Sequence, residues 1–131
     1  MDQRLLTFCS LLLVAVVAAD NSFNKEELAA KIIFGLNRVR NRFFLSKLIR
    51  VTSIRAENSP RGTIAHLDAF IGSTDCTVSE MSKLNYQMQR CTLNEKKPAE
   101  FCKLKATEID VIVVIEKMNC TNVPMAEATG R

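Results

Sequence analysis

Thiols and one imidazole hold most of the reactive chemistry open to this chain: five cysteines, Cys9, Cys76, Cys91, Cys102 and Cys120, and a single histidine, His66. A cysteine paired with a histidine can act as the nucleophile and base of a thiol hydrolase, and cysteines with histidines can hold zinc. Neither reading survives the spacing. The cysteines form no C-x2-C or C-x4-C knuckle and there is no second histidine. A nucleophile also needs a free thiolate, and the four C-terminal cysteines are an even set that pairs as two disulfides in an oxidising compartment. No enzymatic activity, cofactor or metal is expected.

The oxidising compartment follows from the first residues. One arginine, Arg4, precedes the apolar run from Leu5 to Val17, which ends in the small pair Ala18-Ala19 before Asp20. That is the layout of a secretory signal peptide, too short to span a bilayer comfortably. Cleavage after residue 19 removes the odd Cys9 and leaves one domain from residue 20 to 120, with 121–131 as a flexible tail. The product is secreted and extracellular, with no stable membrane anchor. Its net charge is +4, and the one local concentration of cations is Arg38, Arg40, Arg42, Lys47, Arg50 and Arg55. That excludes a nucleic-acid partner as the default and licenses only a weak attraction to anionic surfaces.

Periodicity then gives the elements. Asn24 with Glu27 three residues on is a capping box, and Phe23 with Leu28 a hydrophobic staple. The spacing predicts a helix whose stripe is Leu28, Ile32, Leu36, Val39 and Phe43, with Lys31, Asn37 and Arg38 pointing away. β-type segments follow over Lys47 to Glu57 and Thr63 to Ile71, separated by Asn58-Ser59-Pro60-Arg61-Gly62, a hairpin turn by composition. In the second segment Thr63, Ala65, Leu67, Ala69 and Ile71 share one face, with His66 and Asp68 on the other. Thr77 to Phe101 has no sustained period and reads as an irregular surface excursion. From Cys102 the chain alternates again through Leu104 and Ala106, turns near Glu108-Ile109-Asp110, and resumes at Val111 to Ile115. Met81, Met88 and Met118 read as gap fillers. One helix followed by about four antiparallel strands is an α+β layer fold, a sheet wrapped across the helix stripe.

At this level the chain resembles the secreted cystatins. Family members carry a hairpin loop ending in glycine and then a strand reading roughly Leu-Asp-x-x-x-Gly-x-Thr-x-Cys. Here Gly62 is followed by Leu67-Asp68-Ala69-Phe70-Ile71-Gly72-Ser73-Thr74-Asp75-Cys76. Ala29-Ala30 through Leu36-Asn37 is similar to the family helix, and Phe101-Cys102 to the start of its fourth strand. The resemblance covers about Glu26 to Cys120. It implies the cystatin-like fold, one amphipathic helix against a four- to five-stranded antiparallel sheet, and disulfides joining Cys76 with Cys91 and Cys102 with Cys120.

The resemblance also implies inhibition of papain-like cysteine proteases by a wedge of an N-terminal strand, a first loop Gln-x-Val-x-Gly and a second loop Pro-Trp. Glycine and small apolar residues let backbone enter a narrow groove beside the catalytic thiol, while tryptophan anchors the rim. Carried onto this chain, loop 1 is Asn58, Ser59, Pro60, Arg61 and Gly62, and loop 2 is Glu108, Ile109 and Asp110. Both depart from the pattern, and Asp20 to Phe23 leaves little N-terminal strand, so inhibition should be weak. The alternative is a non-inhibitory extracellular binding protein on the same fold. Asn41 occupies the neighbourhood of the family's legumain-inhibiting asparagine but is flanked by Arg40 and Arg42. The cathelicidin precursors share the fold, but residues 122–131 are not a cationic amphipathic peptide. Asn119-Cys120-Thr121 is a glycosylation sequon.

Overall fold

A computed structural model describes residues 25–131 of the chain. The expected signal peptide, Phe23 and the cap at Asn24 lie outside the described residues. Helix α1 covers residues 25–40. It is followed by β1 Phe44–Ser59, β2 Gly62–Thr77, a 3-10 turn Val78–Lys83, β3 Ala99–Ile109, β4 Ile112–Val123 and a short α2 Met125–Thr129. The strands form one antiparallel sheet in the order β1-β2-β3-β4. The class is therefore α+β, with strands that run further than their clearest alternation. Three register shifts along β1 bend and twist that strand, as bulges do, so that the sheet wraps α1.

The inward face of β2 is the one its alternation marks. Ala65, Leu67, Ala69 and Ile71 are buried with Cys102, Leu104 and Ala106 of β3, against Leu28, Ala29, Ile32, Ile33 and Leu36 of α1. The helix stripe differs from the sequence expectation at its C-terminal end. Val39 is 55% exposed and Phe43 68%. The buried face is centred on Ala29 and Leu36 and extends through Ile33 to Asn37; Val39 shares its angle with Leu28 and Ile32 at 100° per residue, and its exposure goes with its place in the last turn of the helix. Phe43 lies past the last turn, where helical spacing no longer applies.

Asn37, expected to face solvent, is buried. Its Nδ2 donates to Ser46 O at 2.8 Å, and Ser46 N donates to its Oδ1 at 2.7 Å. The side chain thus replaces a strand partner for Ser46 beside the first irregularity of β1, and ties the last turn of the helix to the sheet. Asn37→Ala should lower stability by about 2 kcal/mol, because it leaves two buried backbone groups unpaired. Chemical denaturation checks this, and an unchanged midpoint would mean that water replaces the amide.

The excursion after β2 is not merely surface. Cys76 is joined to Cys91, and both are buried with Leu45 and Met88 beside Phe34, Met81 and Leu84. Lys47 Nζ donates to Cys91 O at 3.1 Å, and Tyr86 Oη donates to Glu27 Oε1 at 2.6 Å. That contact holds the phenol above its usual range and docks the excursion on the flank of α1. The second disulfide joins Cys102 to Cys120, which stand directly opposite each other on β3 and β4. Met88 and Met81 fill gaps as read, whereas Met118 is exposed.

Residues 121–131, expected as a flexible tail, are also folded. Thr121 to Val123 continue β4, and α2 turns back over the outer face of the sheet, where Ala128 is buried against Phe70 and Ala99. Arg50 secures it, donating to Ala128 O at 3.3 Å and Glu127 O at 3.0 Å while stacking over the Phe70 ring. The outer face is therefore apolar at this end, from Ile49, Phe70 and Phe101, and polar toward His66 and Asp68. Among the described residues no helix is long and apolar enough to cross a membrane.

Candidate functional site

Loop 1 forms as a tight hairpin. Asn58 pairs with Thr63 and Ser59 with Gly62 across the β1–β2 ladder, so only Pro60 and Arg61 form the tip. The Ser59 hydroxyl donates to Gly62 O at 2.9 Å. Gly62 has φ +148°, and a Cβ there would overlap the Glu108 carbonyl on β3. Glycine at this position is thus required by the close approach of two hairpins.

Loop 2 lies one step further along the chain than its sequence assignment. Ile109 pairs with Ile112, so the tip is Asp110 and Val111, with Asp110 in the left-handed region at φ 55°. Glu108 belongs to β3 and faces α1, its Oε2 3.6 Å from Lys31 Nζ. Ile109 and Asp110 do reach the tip. The sequence reading placed Val111 and Ile112 at the start of a strand, past the turn, and they are the most bare apolar residues of this end, Val111 92% exposed and Ile112 61%. Only the one-residue phase of the turn could have signalled it.

Because Thr63 pairs with Glu108, the two tips emerge side by side at one end of the sheet, roughly 10 Å apart at two strand spacings. The start of α1 lies at the same end. Lys25, Leu28 and Lys31 share with Asn58, Thr63 and Glu108 a cleft of about 580 Å³ behind the tips. The two tips and the start of α1 therefore lie together, with different chemistry at each tip: a proline ring and a guanidinium at tip 1, a nearly bare valine and isoleucine at tip 2. Beside them on the outer face, the Glu116 carboxylate accepts from Thr107 Oγ1 at 2.8 Å and lies 3.5 Å from Lys105 Nζ. The Thr107 hydroxyl, then Lys105 and the charge of Arg61, hold it below the ordinary carboxylate range. Glu116 is thus already matched, and the unmatched groups of the tips include the Arg61 guanidinium and the bare Val111 and Ile112.

Other candidate residues fall elsewhere. His66 sits mid-strand opposite Lys105, and Cys76, Cys91, Cys102 and Cys120 are all disulfide-bonded. The carboxylate of Glu100 lies near the Cys102–Cys120 sulfurs, but a disulfide offers no thiolate to a metal. Asn41, at φ 51°, is at the opposite end from the tips, beyond the C-terminus of α1. Asn119 is exposed on the edge strand β4, opposite Lys103.

No protein-family model matches the sequence, and no curated protein matches it. Among solved structures, the crystal structure of Al-CPI is similar over 73% of this chain and 88% of that one, with a TM-score of 0.53 and 21% sequence identity. At that identity the likeness is one of fold: the helix and wrapped antiparallel sheet described above are an arrangement this chain shares with Al-CPI.

Proposed function

We propose that the chain is a secreted, cystatin-like protein that occludes the active-site groove of a papain-like cysteine protease, weakly, with the end of the sheet that carries the two hairpin tips. The observation that supports this reading most is the side-by-side projection of those tips, the second with Val111 and Ile112 exposed. Such side chains gain only by being covered, and exposed apolar clusters mark interaction sites. In this reading Val111 and Ile112 replace the family's tryptophan as the rim anchor, with less area to bury. Tip 1 limits the affinity: Pro60 offers no backbone donor and Arg61 carries a strongly hydrated charge into a narrow groove. Pro60 and Arg61 also favour the second reading, a non-inhibitory extracellular binding protein that uses the same end.

Inhibition titrations against papain, several cathepsins and legumain separate the two. Weak inhibition of a papain-type enzyme is expected, and Val111→Ser with Ile112→Ser should weaken it by about tenfold or more. Replacing the four residues of loop 1, as Asn58→Gln, Ser59→Val, Pro60→Val and Arg61→Ala, should strengthen it, since the strands and Gly62 remain. Tight inhibition by the natural chain, or a loop replacement without effect, would show that tip 1 is not limiting. No inhibition by either form would favour the second reading.

A further inference from the structure

The cation cluster of the sequence separates in the fold into buried or tethered members and members exposed to solvent. Arg40 is buried against Glu100, Lys47 is spent on the carbonyls of Met88 and Cys91, and Arg50 on those of α2. Arg38 and Arg42 remain exposed at the corner where α1 passes into β1. Lys97 joins them from the loop before β3, its Nζ 4.4 Å from the Phe44 ring centre.

The same corner gathers bare apolar side chains. Val39 and Phe43 are more than half exposed, and Phe44 and Val78 are at the exposed margin. Three of them are neighbours: the Phe43 and Phe44 rings meet edge to face at 4.8 Å, and Val78 N donates to Phe43 O at 2.9 Å; Val39 stands four residues before Phe43, in the last turn of α1. Of the nearby acids only Glu100 is matched by cations, while Asp75 and Glu80 keep their charge and accept from neutral donors. Glu100 lies between two guanidiniums, Asp75 accepts from Thr92 N, and Glu80 from Thr77 N and Oγ1. Aromatic and aliphatic prongs beside exposed cations, of which Arg42 shares Glu100 with Arg40, are the chemistry of a surface that enters an anionic lipid interface: the rings sit at the headgroup boundary and the cations meet the phosphates.

We infer that this corner, Val39, Phe43, Phe44 and Val78 with Arg38, Arg42 and Lys97, is a reversible docking surface for anionic membranes. The cleft of about 300 Å³ beside Phe43 and Phe44 is lined by Glu100 as well as by Arg42 and Lys97, so an acidic peptide seated in it would meet a carboxylate, whereas lipid phosphates need only reach Arg38 and Lys97 while Val39 and Phe43 enter the interface. Sixteen residues of β1 separate Phe44 from the first hairpin tip, roughly 45–50 Å at the rise of a strand. A docked molecule therefore presents the tips away from the bilayer, free for a partner. The docking is independent of what the tips bind.

Sedimentation of the purified protein with phosphatidylcholine vesicles, with and without 30% phosphatidylserine, tests this. Binding is expected only to the anionic vesicles, and it should fall steeply between 50 and 300 mM salt as charges are screened. Phe43→Ser with Val39→Ser should weaken it about tenfold or more. Arg38→Glu with Lys97→Glu should weaken it by a similar factor, at about fivefold per cation lost. Val111→Ser, at the far end, should leave it unchanged. Equal binding to neutral vesicles, no binding at low salt, or loss on Val111→Ser alone would overturn the assignment. So would self-association abolished by Phe43→Ser, which would make the corner an interface between copies. Unchanged melting temperatures guard the comparison, and if the Phe43 variant loses its fold the Arg38 and Lys97 variant decides.

Discussion

Leu36→Asp should leave the protein largely unfolded at room temperature, while Arg38→Asp, two residues away, should move the melting temperature by only a few degrees. Leu36 is 1% exposed among Ile32, Leu67 and Leu104. Removing it forfeits about 2–5 kcal/mol of packing, and a carboxylate in its place has no cation or donor within the cluster. The sum approaches the whole stability of a domain this size, about 5–15 kcal/mol. Arg38 lies on the opposite side of the helix in solvent. Far-ultraviolet circular dichroism melts of the two variants measure the difference, and similar curves would mean that α1 does not present this face to the sheet.

Glu100→Ala should be nearly as severe, by a different route. Arg40 Nη2 donates to Glu100 Oε1 at 2.6 Å, and Arg42 Nη1 to the same oxygen at 2.8 Å. The Arg40 side chain is only 5% exposed, and its Nη1 already has no partner. Burial holds the Glu100 carboxyl above the ordinary carboxylate range, and Arg42 draws it only part of the way back. Without Glu100 the buried guanidinium loses its counter-charge, a change that typically costs about 3–5 kcal/mol. The double replacement Glu100→Met with Arg40→Met should recover most of that loss, since apolar side chains of similar volume need no partner. Urea denaturation of the wild type, single and double variants forms the cycle. A double variant no better than Glu100→Ala would mean that the pair's value lies in geometry rather than in balanced charge.

The sequence made the framework legible where period and geometry coincide. The strict alternation of β2 from Thr63 to Ile71 matches its buried face, because a strand's two faces are fixed by its pleat. Helical spacing failed at Phe43 because the stripe was extended past residue 40, where α1 stops. Asn37 was misread because an amide in a helix looks solvated until a strand irregularity supplies groups that need it. Glu100, a lone acid between Ala99 and Phe101, has no local signature; its partners lie some sixty residues earlier. Pro124 masked α2, whose five residues are too few for a periodic signal. At the tips, Pro60-Arg61-Gly62 marks its own turn, whereas a one-residue phase error in the second hairpin assigned Val111 to the strand that follows the turn.

The two disulfides close separate, consecutive rings, Cys76 to Cys91 and Cys102 to Cys120, and none of the backbone between residues 25 and 75 is enclosed by either. A protease that cuts inside a ring, after Arg90 or Lys103, leaves its fragments covalently joined. A cut at the exposed Arg61 severs the chain outright, so that α1 and β1 stay with the remainder through the β1–β2 ladder, the buried apolar face and the side-chain tethers of Arg40, Lys47 and Arg50. Covalent reinforcement is thus confined to the half of the molecule that carries the second tip, and the half that carries the helix depends on non-covalent cohesion alone.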